Sequence, residues 1–468
     1  MTAGYAVLLV IVLLIVLLLA RMPVWLALAT SGTTGLFLLR GDTFVNAQLA
    51  TSSYEQTSTF SLTIIPMFIL LGIFAVRAKI AEQVFAVARR AFRNIPGGLG
   101  VATVAACAGF AAVSGSSIGT AATMSKLSIG EMRKAGYPVS MAAALVAVAG
   151  TLGAMIPPSL FLVLYAILSG ESIGAMLAAG IVPGILSAVA YATYIMVRTR
   201  KLTRSTAEVN STTKVKVATG GTGIGPDTDL DSELDSAIKK AQDDQDSGPL
   251  PMRGVFRLAL IFVIIMGGIY SGIFTPTESA AIAALVSLII LLLEFRKEGF
   301  KEIRHQVVEA LKETAKTTSM VFAIIIGSAM LSVFFVVARV PQEVTASLTS
   351  LDLPNWVVLA LLLAFLIPLG MALESISILV ITVPLIYPVA EAMGFDGIWL
   401  GVLIIKLIEI GMVTPPVGIN CFVVAGTAKI PSAEVFKGVW PFVLIELVLV
   451  AVFFAFPDMI LWLPSLVQ

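Results

Sequence analysis

The sequence predicts an all-α polytopic membrane protein, built as an inverted-topology repeat with two re-entrant helical hairpins and two broken helices. Three observations support this fold. The 468 residues are 58% hydrophobic and 13% charged, and they include many apolar runs of membrane-spanning length. A Gly-x-x-x-Pro-Pro motif begins at Gly153 and again at Gly411, each time inside an apolar run. Basic residues lie at non-equivalent places in the two halves, which indicates opposite orientations in the membrane.

Composition also limits the classes of function. The first apolar run, residues 5–20, has no basic segment before it and leads past Arg21 into another apolar run. We therefore expect a retained span rather than a cleaved signal. Cys107 and Cys421 lie in apolar segments and are expected to pack as small hydrophobic residues, not as a disulfide. The single histidine, His305, lies in a charged stretch, which excludes a histidine metal cluster within the membrane.

The repeat is defined by the two Pro-Pro motifs, whose first glycines are 258 positions apart. A Pro-Pro pair removes two backbone donors and interrupts a helix. Bare backbone groups in hydrocarbon are costly unless they line a site. The two interruptions therefore predict a binding centre. Chance similarity of apolar helices is disfavoured, because other landmarks keep the same spacing: Pro96 with Pro354, Ser117 with Ser375, Leu127 with Leu385, Gly136 with Gly394, and Leu145 with Leu403.

Lys and Arg residues give the relative orientation of the halves. The segment after the third run of half one contains five of them, from Arg77 to Arg93, whereas its partner in half two has only Arg339. Residues 41–60 contain none, and their partner contains six. Because such residues concentrate on the cytoplasmic side, equivalent loops lie on opposite sides. This is the architecture of secondary transporters, with the site at the repeat interface near the midplane.

Each half, residues 1–197 and 254–468, is predicted to contain the same series of elements. Two spans are followed by an amphipathic arm, a third span, a surface helix, a hairpin, a broken helix and a closing span. The predicted ranges are 46–59 and 294–316 for the arms, 99–129 and 357–388 for the hairpins, 139–168 and 397–428 for the broken helices, and 175–197 and 440–462 for the closing spans.

Between the halves, residues 198–253 predict a flexible, acidic cytoplasmic linker, since they lack hydrophobic periodicity. Asp227, Asp229 and Asp231 resemble a calcium loop only in part, because position six is Ser232 and position twelve is Ile238. The nearby glycines lack the Lys-Ser/Thr of a phosphate loop. We expect no bound nucleotide and no nucleic-acid partner.

The hairpin tips and helix breaks predict two cation sites. Small hydroxyl residues and glycines let the backbone turn inside the protein and offer neutral oxygen ligands. Packing of small residues between helices is the alternative interpretation. The first predicted site comprises Ser114, Gly115, Ser116, Ser117, Gly153, Ile156 and Pro157; the second comprises Gly370, Glu374, Ser375, Gly411, Thr414 and Pro415.

Charged residues at membrane depth are expected to have a partner or a function. Glu374 replaces the Ser116 of half one and is a candidate to ligate a cation, take up a proton or sit in water. Lys406 and Glu409 are one helical turn apart, which allows an ion pair, and Lys406 is also a candidate for attracting an anionic solute. The predicted solute residues are Ser116, Ser159, Glu374, Lys406 and Asn420.

These residues resemble the DctM-like family, the large membrane subunit of TRAP (tripartite ATP-independent periplasmic) transporters. The resemblance covers both halves. It rests on these motifs: Ala112-Val-Ser-Gly-Ser-Ser117, Glu131-Met132 with Gly136-Tyr137, Gly150-Thr-Leu-Gly153, Ile156-Pro-Pro-Ser159, Ala179-Gly-Ile-Val-Pro-Gly184, Thr275-Pro-Thr-Glu278, Glu409-Ile-Gly411 and Thr414-Pro-Pro-Val-Gly-Ile-Asn420. It depends on most of these motifs occurring together rather than on any one of them.

The resemblance implies a sodium-driven importer in the bacterial inner membrane that moves its hairpins against a scaffold, as an elevator. It implies two sodium sites at the tips and breaks, a small four-span membrane subunit and a periplasmic solute-binding protein. The C-terminus is expected in the periplasm. Two features depart from the family: the linker is longer than usual, and Lys406 stands where a neutral residue is commoner.

The predicted function is secondary active import of a small organic solute, with a carboxylate as the family default. A stand-alone sodium/divalent-anion symporter is the alternative that has a similar hairpin design. An intramembrane hydrolase is disfavoured, because the spans contain no paired acids and no Ser-His dyad. A passive channel would be distinguished by electrical currents without accumulation of the solute.

Overall fold

The computed structural model describes residues 3–217, 252–340, 342–343 and 353–466, which form helices joined by short connections. The helices of the first half are α1 (Ala3–Leu19), α2 (Val24–Thr57), α3 (Ile64–Arg77), α4 (Ile80–Ala91), α5 (Gly98–Ser114), α6 (Ser117–Lys134), α7 (Val139–Gly150), α8 (Leu152–Met155), α9 (Leu160–Ser169) and α10 (Ile173–Val217).

The second half begins with α11 (Met252–Phe262), which a π-helical turn and one further turn extend to Tyr270. Its other helices are α12 (Pro276–Phe295), α13 (Phe300–Val337), α14 (Asn355–Ala364), α15 (Leu366–Ala372), α16 (Ser375–Ala392), α17 (Gly397–Val413), α18 (Ile419–Ala428), α19 (Ser432–Ala455) and α20 (Asp458–Leu461).

The helices have the length and composition of membrane spans. Within the described ranges, seven helical stretches are long and apolar enough to cross a bilayer, and an eighth is obtained if α7–α9 counts as one bent span. In that span, the segment Val139–Met155 and the segment Leu160–Ser169 are bent by 43° relative to each other. No strand occurs among the described residues, because a helix satisfies its backbone groups internally within hydrocarbon. The prediction of an all-α polytopic membrane protein is confirmed.

The two arms differ in how they join their neighbouring spans. In half one, α2 is interrupted at Gly41, which has φ 79°, and the chain leaves the helix again after Thr57. In half two, α13 runs for 38 residues without interruption. The prediction of a separate arm over 294–316 is therefore wrong: arm and span form one helix. Residues 300–326 contain no Gly or Pro, so nothing in the backbone separates the two segments.

The linker also begins later than predicted. Helix α10 continues from the closing span to Val217, so residues 198–217 are helical rather than flexible. Adding a turn to an existing helix avoids the cost of nucleation, so a polar segment without hydrophobic periodicity can extend a span. The central part of the predicted linker, residues 218–251, lies outside the described residues, as does most of the predicted surface helix of half two.

Packing between the halves is reciprocal. The second span of each half packs against the third span of the other: α2 against α13, and α12 against α3. The broken helix of each half packs against the closing span of the other: α7 against α19, and α17 against α10. The return helix of each hairpin follows the same rule, since α6 contacts α18 and α16 contacts α9. Such exchange of contacts is expected of two repeats related by a pseudo-two-fold axis.

These contacts define two groups of helices. We call α1–α3 together with α11–α13 the scaffold. In it α2 packs against α1 and α13, and α3 packs against α12 and α13, while α11 packs mainly against α4. We call α5–α9 together with α14–α18 the hairpin body. Helix α13 contacts α16, helix α3 contacts α5 and α9, and helix α11 contacts α5, so the scaffold touches the hairpin body along these three helices. The site lies at this contact.

Candidate functional site

The first hairpin turns in two residues between α5 and α6. Gly115 has φ 56°, a left-handed conformation that favours glycine. Ser116 caps α6, and its hydroxyl accepts a hydrogen bond from the Gly119 amide at 3.2 Å. The Ser114 and Thr120 hydroxyls lie 2.7 Å apart across the turn. The tip is therefore a compact turn of hydroxyl and glycine residues, as its composition predicts.

The second hairpin turns at Leu373 and Glu374, between α15 and α16. Both residues are extended, and Glu374 occupies the N-cap position of α16 without a side-chain capping bond. Its carboxylate is therefore not used by the helix and lines the cavity described below. The first limb of this hairpin consists of α14 and α15, which are separated only by Phe365.

Both helices that contain a Pro-Pro pair are interrupted there. The chain leaves α8 after Met155 and re-enters a helix at Leu160; it leaves α17 after Val413 and re-enters at Ile419. The Pro-Pro peptide bonds are cis in both breaks. The Ser159 hydroxyl donates a hydrogen bond to the Ala154 carbonyl, so it bridges the first break.

Tip and break of half one are in close contact. A Cβ on Gly115 would lie 3.2 Å from the Pro158 carbonyl oxygen, and one on Gly153 would lie 2.9 Å from that of Ser116. In half two, by contrast, Gly411 packs against Gly370 on the first limb of the hairpin: a Cβ on Gly370 would lie 2.9 Å from the Gly411 Cα. Glycines thus permit a close backbone approach in both predicted cation sites. In half one the tip approaches the break, and in half two the first limb of the hairpin approaches α17.

A cavity of about 350 Å³ lies where the two tips meet the scaffold. Its volume suits a small organic molecule. The first tip and break, the second tip, and the scaffold helices α3 and α13 all contribute to its wall. The polar and break residues in the wall are Ser114, Gly115, Ser116, Thr123, Pro158, Glu374 and Ser375 from the hairpin body, and Arg77, Glu313 and Thr317 from the scaffold.

The cavity wall includes five of the residues predicted from the sequence: Ser114, Gly115, Ser116, Glu374 and Ser375. The remaining predicted residues are not part of this wall. Of these, Asn420 is fully buried, and neither polar atom of its side chain has a hydrogen-bond partner in the described part of the chain. Buried amides without a partner are rare, so Asn420 has unused capacity to bind a ligand or water.

Lys406 does not contribute to the cavity wall. Its amine donates to Glu446 Oε2 at 2.7 Å and to the Ser187 hydroxyl, and the Tyr191 hydroxyl donates to the other oxygen of Glu446. The predicted ion pair between Lys406 and Glu409 is therefore wrong. The partner of Lys406 comes from α19, because that helix packs against α17 on the side that the lysine faces.

Two functional side chains are not among the residues predicted for the site. In the sequence Arg77 indicates only orientation, yet it lines the cavity and donates to Glu313 Oε2 and Gln306 Oε1, both at 3.1 Å. The sequence pairs Glu409 only with Lys406, yet it accepts a hydrogen bond from the Ser375 hydroxyl at 3.0 Å. Arg77 ends an apolar run, and a charged residue at the end of such a run was the signal in the sequence that could have identified it as a site residue.

Comparison with known proteins places the chain in a family of permeases. The family model described as "Tripartite ATP-independent periplasmic transporter, DctM component" matches residues 11–459. The C4-dicarboxylate TRAP transporter large permease protein DctM of Pseudomonas aeruginosa is 32% identical over 380 residues, which cover 81% of this chain and 79% of that protein. The sialic acid TRAP transporter large permease protein SiaM of Vibrio cholerae is 30% identical, with 83% and 82% covered.

A solved structure shares the fold. The crystal structure of the YdaH transporter of Alcanivorax borkumensis, described as having an unusual topology, superposes with a TM-score of 0.59. The superposition covers 90% of each chain at 16% sequence identity. At this identity the likeness concerns the fold alone.

Proposed function

The chain belongs to the DctM family of tripartite ATP-independent periplasmic transporters, and we propose that it is the large transmembrane subunit of a sodium-coupled importer of a small organic solute. The import depends on a periplasmic solute-binding protein and on a small four-span membrane subunit. The relatives named above are described for C4-dicarboxylates and for sialic acid, which are carboxylates, and a carboxylate is the proposed solute class here.

One observation supports this proposal most directly. Both hairpin tips, which are far apart in sequence, contribute to the wall of a single cavity of about 350 Å³. The tips supply serine hydroxyls and the carboxylate of Glu374, and the scaffold supplies the Arg77 guanidinium. Hydroxyl and carboxylate oxygens suit sodium, and a guanidinium suits a carboxylate. A cation and an anionic solute therefore both find matching groups in one place.

Sodium entry supplies enough free energy for accumulation. Each ion entering down about 100 mV and a tenfold gradient gives roughly 3.7 kcal/mol. Two ions give about 7 kcal/mol, which the charge of a monoanionic solute reduces to about 5 kcal/mol, enough for accumulation by roughly three to four orders of magnitude. Two sites at the tips are therefore sufficient without nucleotide hydrolysis.

The proposed transport step is a movement of the hairpin body against the scaffold. The cavity lies between these two groups of helices, so its solute is bounded on one side by the tips and on the other by α3 and α13. Displacement of the hairpin body would carry the tips, the cations and the solute together, as in an elevator. We place the chain in the bacterial inner membrane, with residues 198–253 in the cytoplasm and the C-terminus in the periplasm.

Reconstitution tests the proposal. The chain is placed in proteoliposomes with the small subunit and the binding protein encoded beside it, and that protein is first screened for binding to C4-dicarboxylates and sialic acid. We expect accumulation of the bound compound only with an inward sodium gradient and only with the binding protein outside. Uptake that persists without a sodium gradient would contradict the coupling, and uptake without the binding protein would favour a stand-alone symporter.

A further inference from the structure

A buried carboxylate lies between the two hairpins. Glu409 is on α17, is 4% exposed, and accepts a hydrogen bond at Oε1 from Ser375 at 3.0 Å. The hydroxyl of Ser117 lies beside the same carboxylate. Ser117 and Ser375 are the first residues of the two return helices, α6 and α16, and they occupy equivalent positions in the repeat. One side chain of half two thus faces the beginning of both return helices.

The hydroxyls beside Glu409 are suited to hold cations. The single proton of the Ser375 hydroxyl faces Glu409 Oε1 and the Met412 sulfur, so the oxygen lone pairs can act as acceptors for a cation. Ser117 Oγ and Glu409 Oε2 are buried, and neither makes a hydrogen bond of normal geometry within the described residues, although Ser117 lies beside Glu409. Buried polar atoms without partners are rare in native proteins and require an explanation. Two hydroxyl oxygens and a carboxylate oxygen are ligands that a small, hard cation accepts.

The neighbouring charges do not neutralise Glu409 through an ion pair. Lys406 is paired with Glu446, and Arg77 is paired with Glu313 at the far wall of the cavity. Glu374, the other acidic group near the tips, faces the cavity and adds negative charge. The amino-terminal ends of α6 and α16 carry partial positive charge toward Glu409. The alternative role for Glu409 is therefore structural: its carboxylate stabilises the amino-terminal ends of α6 and α16 without binding a cation.

We propose that Glu409 is the shared counter-charge of the two sodium sites, and that it orients the hydroxyls of Ser117 and Ser375 as ligands. This inference rests on the proposed function, since it assumes that sodium binds at both tips. It adds a residue outside the predicted sets, and it assigns one carboxylate to both sites. The ligand class is a small monovalent cation.

The test measures sodium binding without transport. The purified complex of this chain with the small subunit is unfolded thermally, without solute, over a range of NaCl concentrations at ionic strength kept constant with choline chloride. We expect the Glu409→Gln variant to raise the half-saturating sodium concentration about tenfold, because hydrogen bonds to charged groups are among the stronger ones. The double variant Lys406→Gln with Glu446→Gln removes an equally buried charge pair without leaving a lone charge beside Glu409, and it is expected to change the unfolding midpoint but leave the half-saturating sodium concentration unchanged.

Equal half-saturating sodium concentrations for the wild type and Glu409→Gln would overturn the inference and leave the helix-end role. If Glu409→Gln does not fold, Ser117→Ala and Ser375→Ala each test the same site. Weaker sodium binding in both supports it, and unchanged binding in either overturns it. If the wild type itself shows no sodium-dependent shift, the proposed function fails, and the inference fails with it.

Discussion

The two halves build the same hairpin and broken helix from different chemistry. Half one supplies neutral groups at its tip and on the helix before its break, whereas half two places charged or bulky side chains at the equivalent positions. The equivalent pairs are Gly115 with Leu373, Ser116 with Glu374, Val148 with Lys406 and Thr151 with Glu409. Both halves therefore need the same hairpin and broken-helix backbone, but only half two carries charged side chains at the tip and on the helix before the break.

The breaks differ in a second respect. Pro157 and Pro158 are buried, and the first break contributes to the cavity wall. Pro416 and Val417 of the second break are exposed, and this break does not contribute to that wall. The neutral half therefore shapes the cavity with its backbone, while the charged half acts on it through side chains, namely Glu374 directly and Glu409 through Ser375.

The largest expected effect tests whether the charge in half two is needed for folding. Replacing Lys406 with Met leaves Glu446 buried and unpaired, which costs about 3–5 kcal/mol of stability. We expect a markedly lower thermal unfolding midpoint for the purified complex. Because Lys406 is outside the cavity wall, we expect the half-saturating solute concentration of the remaining folded protein to stay unchanged.

The control for this prediction exchanges the pair for the residues of half one. A double variant, Lys406→Val with Glu446→Ala, introduces the side chains found at Val148 and Ala188. We expect it to recover much of the stability lost in the single variant, since no unpaired charge remains. A double variant as unstable as Lys406→Met would show that packing volume, rather than charge, determines stability here.

A second prediction concerns the charge at the tip. Glu374→Gln removes a carboxylate whose place in half one is taken by Ser116. A carboxylate and a sodium ion a few Å apart in a protein attract each other by several kcal/mol at most. We expect the free energy of sodium binding to weaken by about 1.4 kcal/mol, so that the half-saturating sodium concentration for uptake rises about tenfold. Glu391→Gln, an exposed change at the other end of α16, is the matched control. An unchanged sodium requirement in Glu374→Gln would remove this carboxylate from the second cation site.

The smallest expected effect concerns the backbone at the tips. Gly115→Ala forces a side chain into a left-handed conformation, which costs about 1 kcal/mol. Its equivalent, Leu373, has φ −122° and accepts a side chain without such cost. We expect a slightly lower unfolding midpoint and weaker sodium binding in thermal titrations. Gly130→Ala, on α6 with nothing within 4 Å of its Cβ position, should raise the unfolding midpoint slightly, because alanine favours a helix interior, and leave sodium binding unchanged. Equal behaviour of the two variants would show that the turn tolerates a side chain.

Much of the site could be predicted because it depends on local backbone constraints. The Pro-Pro pairs that begin at Pro157 and Pro415 interrupt their helices whatever packs around them. A Gly-Ser turn between apolar helices likewise makes a compact tip through its own backbone conformation. The repeat spacing then places equivalent serines at the start of both return helices. The membrane-spanning composition excludes strands in the same way, since each segment must satisfy its own backbone groups.

The sequence by itself determined the all-helical membrane fold, the doubled unit, and the places where its helices break and its hairpins turn. Only the tertiary structure decided which side chains meet: Glu446 rather than Glu409 beside Lys406, Glu409 beside the serines of the return helices, and Arg77 in the cavity wall. The reason is physical. Breaks and turns follow from residues adjacent in the chain, whereas a buried charge takes its partner from whichever helix packs against it.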